Sequence, residues 1–256
     1  MSLRPLYLEA GTPWQVKLDA GVALHVSAAG RARSLYPLQR LARVVCGAAA
    51  QWDTAALLAC LRAGVPVLFH DGHGEPIAWC FGPRRRETTL QQLLREGLDH
   101  VDWAEHFSRW QHAAQRREVL AALQFVGTCT LQLDAATTRT RLCNLHRDRT
   151  GRPAGPWLHA LHRALSAVVA ENLHEALGDP ALIGYARPGL HLGQVFTELL
   201  QWRMHRLLHA TAAATFTATT PGRFAAAAIE RNGARLQGAC GELLGDLEHQ
   251  LRSWLL

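Results

Sequence analysis

The chain has 256 residues, 48% of them hydrophobic and 19% charged, which is enough for one large domain or two modest ones. Its formal net charge is +6, and every one of its 27 basic residues except Lys17 is an arginine, so enzymes that use a nucleophilic or Schiff-base lysine are nearly excluded. Arginine binds phosphate oxygens through paired hydrogen bonds, so the high arginine content favours a nucleic-acid partner. The alternative explanation of the arginine content is a compositional bias towards Ala, Leu and Arg. Residues 83–163 hold most of the excess positive charge.

The first third of the chain has the pattern of a small β-rich domain. Short apolar runs alternate with Gly and Asp turn signals, and one helix is predicted between an Asp53 cap and Gly64. The predicted strands are Pro5–Glu9, Trp14–Leu18, Val22–Ser27, Ala42–Cys46, Val65–Phe69 and Pro76–Cys80.

Beyond Pro83 the apolar residues recur at helical spacing, which predicts an all-helical second domain. The predicted helices are Thr88–Glu96, Asp102–Gln124, a shorter one near Cys129–Arg141, Trp157–Leu177, Leu190–Thr211 and about Phe224–Leu251. The fold class is therefore α+β, with a β-rich domain over 1–83 and a helical domain over 89–256.

Two segments of the helical domain are predicted to be loops, 144–156 and 217–222. The first is rich in Arg, Gly and Pro and forms a candidate phosphate-binding loop, although a merely solvated loop fits equally well. The arginines in and just before it are Arg139, Arg141, Arg147, Arg149 and Arg152.

The cysteines and apolar segments indicate where the protein works. The six cysteines form no CxxC pair and are expected to be buried thiols in a reducing compartment. The N-terminus lacks a signal-peptide pattern and no run of 18 apolar residues occurs, so we expect a cytoplasmic protein with no membrane partner.

Several motifs of this sequence together resemble a known family. They are Trp14 to Val26, Tyr36 to Gly47, the helix opening at Trp52-Asp53, and Ala63 to Phe69 with the glycine turn that follows. The order of these segments resembles the N-terminal domain of the CRISPR spacer-integration family, the Cas-one integrase/endonuclease. In the second half, Gly151 to Leu165, Gly178 to Tyr185 and Leu190 to Arg203 are similar to the family's helical domain.

The resemblance implies a site for Mg²⁺ or Mn²⁺ that this chain has lost. Family members hold the ion with a glutamate, a histidine and one or two acidic residues, because these metals prefer oxygen ligands. The histidine position falls on Arg187, and the two acidic positions fall on Thr197 and Leu200. An arginine there would repel a cation, so the resemblance implies no metal cofactor and no catalytic residues.

A relocated metal site is the alternative in which the chain remains an enzyme. His191 and Glu198 share a helical face, with Asp134 or Glu118 as a distant third ligand. A capping histidine and a surface glutamate are the simpler interpretation, because two ligands from one helix do not complete a hydrolytic site.

Three further clusters have a structural and a functional interpretation. The segment His70 to Glu75 is predicted to be a hairpin turn more than a metal site, because Asp and Gly supply turn geometry. His205 and His209 have zinc-like i, i+4 spacing but lack an intervening HExxH glutamate. The stripe of Trp103, Phe107 and Trp110 favours a buried helix face over a base-stacking surface.

The resemblance leads to a specific functional expectation. We expect a catalytically degenerate CRISPR spacer-acquisition protein that binds DNA as a structural subunit of an integration complex in antiviral defence. It would dimerise through the β domain, with itself or with an active integrase copy, and would contact the small ferredoxin-like adaptor subunit. The alternatives are an active metal-dependent integrase and a protein-interaction module that does not bind DNA. The predicted nucleic-acid contacts are Arg139, Arg141, Arg147, Arg149, Arg152, Arg187, Arg203 and Arg206.

Overall fold

The structure, a computed structural model, describes residues 3–71, 75–82, 88–127, 134–178, 182 and 191–255. The chain divides into two compact units, Met1–Arg86 and Glu87–Leu256. The first is β-rich and the second is built from helices, which confirms the predicted α+β class.

The N-terminal unit consists of two four-stranded sheets with one helix, α1 (Thr54–Arg62). Strands pair in the order β1-β5-β7-β8 in one sheet and β4-β3-β2-β6 in the other. The strands are β1 (Arg4–Tyr7), β2 (Gln15–Asp19), β3 (Ala23–Ser27), β4 (Ser34–Pro37), β5 (Leu41–Gly47), β6 (Gln51–Trp52), β7 (Val67–His70) and β8 (Pro76–Cys80).

One apolar core joins the two sheets and α1. Val16 and Leu24 of one sheet, Val44 and Val67 of the other, and Cys60 of α1 are all fully buried and belong to a single cluster. Burial raises the pKa of the Cys60 thiol to about 12, so this cysteine packs as an unreactive apolar residue.

The sequence pattern missed two strands of this unit, β4 and the two-residue β6. The residues of β4, Ser-Leu-Tyr-Pro, alternate between half-buried and exposed positions. Because β4 is an edge strand that pairs with β3 alone, it needs little apolar sequence of its own.

The helical unit is organised around two long helices, Gly155–Leu177 and Pro221–Trp254, which pack on each other. Its elements are α2 (Thr89–Asp99), α3 (Trp103–Phe125), α4 (Ala135–Thr150), α5 (Gly155–Leu177), α6 (Leu192–Ala210), α7 (Ala213–Ala218) and α8 (Pro221–Trp254). Helix α5 is the core element, because nearly all residues from Leu161 to Ala170 are buried. It packs against both α6 and α8.

The predicted arginine loop over 144–156 is wrong. Helix α4 continues to Thr150, and Gly151 ends it with φ of 69°, a left-handed conformation that glycine adopts without strain. Arginine and leucine favour helix, so the arginine-rich sequence extends α4 instead of breaking it. The segment 217–222 is likewise mostly helical, because α7 ends at Ala218 and α8 begins at Pro221 under a Thr220 cap.

Candidate nucleic-acid interface

The two acidic positions implied by the family resemblance lie on the buried side of α6. The Thr197 side chain is 2% exposed, and its hydroxyl donates a hydrogen bond of 2.7 Å to the Gly193 carbonyl. Leu200 is fully buried in the apolar core. The hydroxyl of Thr197 is therefore committed to its own helix, and Leu200 has no ligand atom to offer. Arg187 lies outside the described residues.

Glu118, one of the suggested third ligands, is held by an arginine. The Arg203 Nη2 lies 2.7 Å from Glu118 Oε1, and its Nε lies 3.1 Å from both carboxylate oxygens. A second carboxylate, on Glu242, lies 3.3 Å from Arg203 Nη2. Burial disfavours the charged guanidinium, but the hydrogen bonds and charges of Glu118, followed by those of Glu242, outweigh it and raise the pKa of Arg203.

This pairing corrects two expectations about the helical domain. Glu118 is 9% exposed, and its carboxylate neutralises a guanidinium that joins α3 to α6. It is therefore not available as a distant metal ligand. Arg203, expected to face DNA, is half-buried and holds the helices together.

The other residues of the relocated metal site are far apart along α6. His191 is the N-cap residue of α6, and the Glu198 carboxylate accepts a 2.9 Å hydrogen bond from the Gln194 side chain. Seven residues of helix span about 10 Å, and two ligands from one helix do not complete a hydrolytic site. Within the described part of the chain, no three His, Cys, Asp or Glu side chains form a group that could hold a metal ion.

Asp134, the remaining candidate ligand, has a capping role. Its carboxylate accepts a hydrogen bond of 2.7 Å from the backbone N–H of Thr137, at the start of α4. Hydrogen bonds from Thr137, with a smaller one from the backbone of Ala136, lower the pKa of Asp134. The residue therefore satisfies free N–H groups of the helix.

Two of the predicted DNA-binding arginines of α4 face α6. The Arg139 guanidinium lies 5.4 Å from the centre of the Trp202 ring. Arg149 donates to the carbonyls of Leu208, at 2.6 Å, and of His209. These carbonyls belong to the last turn of α6, where the helix dipole favours a positive charge. Both arginines therefore stabilise the α4–α6 contact.

The remaining arginines, two on α4 and one just after it, form no hydrogen bond or ion pair with α6 within the described residues. Arg141 is exposed, and the exposed Arg147 donates a 3.0 Å hydrogen bond to the side chain of Asn144 on its own helix. Arg152, just after Gly151, is exposed as well. These three side chains form the outward arginine surface of α4.

Three histidines occupy the α4–α6 contact. His146 and His205 are 1% and 2% exposed, and the ring of His146 lies 6.4 Å from that of His209. Burial, with smaller effects of neighbouring positive charges, lowers the pKa of His146 to about 4 and that of His205 to about 3. His209 Nε2 lies 3.2 Å from the Leu142 carbonyl and can donate to it. Of the pair suggested by zinc-like spacing, His205 therefore packs as a buried ring and His209 as a half-buried ring against α4.

A groove that the sequence did not reveal lies between α6 and α8. Its volume is about 430 Å³, and its lining includes four arginines, Arg203 and Arg206 of α6 and Arg231 and Arg235 of α8. Phe125, at the end of α3, also lines it. The signal in the sequence is the i, i+4 pair Arg231 and Arg235, which looks like any solvated helix face until α6 is placed opposite.

The aromatic stripe of α3 lies on a buried helix face, which is the interpretation that its helical spacing favoured. Phe107 and Trp110 are 5% and 4% exposed, and Trp110 packs 5.8 Å from the ring of Phe196. The Trp110 indole N–H donates to Asp246 at 3.0 Å. The stripe therefore holds α3 against α6 and α8.

The His70 to Glu75 segment connects an antiparallel pair of strands, as a hairpin turn would. Strand β7 pairs with β8, and the backbone N–H of Glu75 donates to the Asp71 carboxylate at 2.9 Å. Residues 72–74 lie outside the described part of the chain.

Comparison with known sequences finds one family to which the chain is similar. The model of the family "CRISPR associated protein Cas1" matches residues 17–120, which cover most of the β-rich unit and the start of the helical one. Over that range the chain is similar to Cas1 proteins. No curated protein sequence matches it.

Solved Cas1 structures share the fold over nearly the whole chain. A Cas1 protein from Thermotoga maritima matches with a TM-score of 0.67 and 11% identity, covering 98% of this chain and 97% of that one. The structure of a TtCas1–DNA complex matches with a TM-score of 0.59 and 13% identity, covering 94% and 91%. A casposase bound to its integration product matches with a TM-score of 0.55 and 11% identity, covering 82% and 72%. At these identities the likeness establishes a shared fold.

None of the helices within the described ranges is long and apolar enough to cross a membrane.

Proposed function

We propose that this chain is a catalytically degenerate member of the Cas1 family and binds DNA as a structural subunit of a CRISPR integration complex. The observation that carries the proposal is the state of α6 at the implied metal positions. There Thr197 is hydrogen-bonded to its own helix and Leu200 is in the core. A divalent ion needs oxygen ligands that converge on one point, and neither residue supplies one.

DNA binding is supported by the proteins that share the fold and by the outward arginine surface of α4. Two of the similar structures contain DNA or an integration product. Arg141, Arg147 and Arg152 are exposed and can contact phosphates without losing an ion pair within the described residues. By contrast, Arg139, Arg149 and Arg203 would each have to leave a contact with another helix of the protein. Arg187 and Arg206 complete the proposed set.

The proposed assembly has two parts. The β-rich domain, with a boundary near residue 83, dimerises with a second copy of this chain or with an active integrase copy. The helical domain presents its arginines to DNA and contacts the small ferredoxin-like adaptor subunit. The complex works in the cytoplasm, as expected of a protein that acts on intracellular DNA.

The test measures DNA binding and DNA chemistry in the same preparation. Fluorescence anisotropy with labelled duplex and branched DNA is expected to show affinity that falls steeply as salt rises, because phosphate contacts release counterions. Replacing Arg141, Arg147 and Arg152 together by alanine is expected to reduce the slope of log K against log salt by about 3. The matched control replaces Arg4, Arg33 and Arg40, three exposed arginines of the β-rich unit, and leaves the slope nearly unchanged.

The same preparation is then incubated with Mn²⁺ and the DNA substrates. We expect neither cleavage nor integration under conditions in which an active Cas1 protein performs both. Activity that disappears on Glu198→Ala or His191→Ala would establish the relocated metal site and refute the degenerate assignment. An absence of salt-dependent DNA binding would favour a protein-interaction module instead.

A further inference from the structure

The groove between α6 and α8 contains arginines that the fold does not use. Arg206 and Arg235 make no hydrogen bond or ion pair with any described residue. Arg231 donates through Nε to the Ala227 carbonyl of its own helix, at 3.2 Å, which leaves its two terminal nitrogens available. Arg203 differs from these three, because Glu118 and Glu242 already neutralise it.

The positive charge of the groove comes from two facing helices. Arg231 and Arg235 lie one turn apart on α8, and Arg206 belongs to the opposite helix. All the residues that line the groove lie within the described part of the chain, and there is no carboxylate among them. Three guanidinium groups around one concavity, without a lining acid, favour a ligand with at least one phosphate.

The rest of the groove is suited to an aromatic group. Its floor contains the buried side chains of Met204 and Leu236. Phe125, which is 52% exposed, supplies a ring face large enough to stack on a base. Asn232 donates its side-chain NH₂ to the Ala228 carbonyl at 2.8 Å, so its Oδ1 remains as an acceptor. An inorganic phosphate would leave this apolar and aromatic surface uncovered.

We propose that the α6–α8 groove binds a nucleoside phosphate, with the phosphate between Arg206, Arg231 and Arg235 and the base stacked on Phe125. The volume of about 430 Å³ suits one nucleotide and is too small for a duplex. The ligand can be a free nucleotide or the unpaired end of a strand. Only the second source rests on the proposed DNA-binding function.

The experiment compares two probes on the full-length protein by isothermal titration calorimetry. One probe is a mononucleotide with a terminal phosphate, dAMP, and the other is a short single-stranded DNA with a 5′ phosphate. Deoxyadenosine, which lacks the phosphate, and inorganic phosphate, which lacks the base, are expected to bind at least about tenfold more weakly than dAMP, because each loses one half of the recognition.

Variants separate the two halves of the groove. Replacing Arg231 and Arg235 together by alanine is expected to weaken dAMP binding by at least about tenfold, and Arg231→Lys with Arg235→Lys restores part of it. Phe125→Ala is expected to weaken binding of dAMP by about tenfold and that of inorganic phosphate very little. The matched control is Arg4→Ala with Arg33→Ala, which removes the same charge from exposed positions of the β-rich unit and leaves dAMP binding unchanged.

The outcomes distinguish this inference from the proposed function. Binding of dAMP without any DNA binding would support the nucleotide groove and refute the DNA-holding role. The opposite result is that the protein binds duplex DNA, that the α4 variant weakens this binding, and that neither probe binds in the groove. It would support the DNA-holding role and refute the nucleotide groove. Equal losses of dAMP binding in the control and groove variants would overturn the groove assignment, since general charge would then explain the binding.

Discussion

The α4–α6 contact and the α6–α8 groove both bring arginines onto helix α6, but they use them differently. At the α4–α6 contact, Arg139 stacks on Trp202 and Arg149 binds the last carbonyls of α6. In the groove, Arg206 and Arg235 have no bonded partner among the described residues. One region uses arginine to hold the fold together, whereas the other leaves arginine charge facing solvent.

The difference teaches that the density of arginine in a sequence does not locate a binding surface. The five arginines of 139–152 are close together in the chain, yet two of them, Arg139 and Arg149, contact α6 while remaining exposed. The groove collects arginines from two different helices, α6 and α8. An arginine must therefore be judged by its partners. Replacing an arginine that has a partner should lower stability, whereas replacing one without a partner should not.

The largest expected effect comes from breaking the half-buried ion pair of α3 and α6. We expect Glu118→Ala to lower the free energy of unfolding by about 3 kcal/mol, because it leaves the Arg203 charge partly buried with only the exposed Glu242 beside it. Urea unfolding followed by circular dichroism measures the change.

An exposed pair provides the control for that measurement. Glu248 and Arg252, one turn apart on α8, are 2.7 Å from each other, and Glu248→Ala is expected to cost only about 0.5 kcal/mol. The double variant Glu118→Met with Arg203→Met should recover most of the stability that Glu118→Ala loses, since an apolar pair needs no charge compensation. Equal losses in the free energy of unfolding for Glu118→Ala and Glu248→Ala would show that the half-buried pair stabilises the protein no more than the exposed pair.

Acid should weaken the α4–α6 contact through its buried histidines. The pKa values of His146 and His205 are lowered to about 4 and about 3, whereas an unfolded histidine titrates near 6.5. The unfolded chain therefore binds protons first as the pH falls. The stability from these two neutral rings is complete above pH 6.5 and is lost below it, by about 2 kcal/mol in total between pH 6.5 and 5.5.

The comparison of two histidine variants tests this assignment. His205→Gln removes one of the titrating groups, so the loss of stability between pH 6.5 and 5.5 should shrink by about half. His159→Gln, at an exposed position of α5, should leave the pH dependence as it is. The assignment fails if the parent protein and the His205→Gln variant lose the same stability over this interval.

A smaller loss of stability is expected from replacing an arginine of α4 that contacts α6. Arg149→Ala removes hydrogen bonds to the Leu208 and His209 carbonyls and is expected to cost about 1 to 2 kcal/mol. The matched variant Arg147→Ala, on the outward surface of the same helix, should change stability by less than about 0.5 kcal/mol. If the two substitutions cost the same, Arg149 does not hold α4 on α6.

The sequence predicted the two-part fold because periodicity carries that information. The runs at Pro76–Cys80 and Trp157–Leu177 correspond closely to β8 and α5. It failed where the local signal is weak or ambiguous, as at edge strand β4 and at the end of α4. Glycine and proline near residue 151 suggested a long loop, but Gly151 alone ends the helix.

The functional residues were harder to predict, because their partners come from other helices. Arg139, Leu142, His146 and Arg149 lie at spacings of three and four, so helical phase alone could have shown that these arginines share a face with buried residues. By contrast, no local pattern pairs Arg203 with Glu118, or brings Arg206 opposite Arg235. Those relations arise only from the packing of α3, α6 and α8.

The smallest expected effect concerns the groove, where removing an arginine should not destabilise the fold. Arg235 has no bonded partner among the described residues and lies one helical turn from Arg231, a like charge. We expect Arg235→Ala to leave the free energy of unfolding unchanged or to raise it by about 0.3 kcal/mol, since like charges at i, i+4 repel. High salt should abolish the gain, because it screens that repulsion. A loss above about 1 kcal/mol would show that Arg235 supports the fold as Arg149 does, and that the charge in the groove is not free for a ligand.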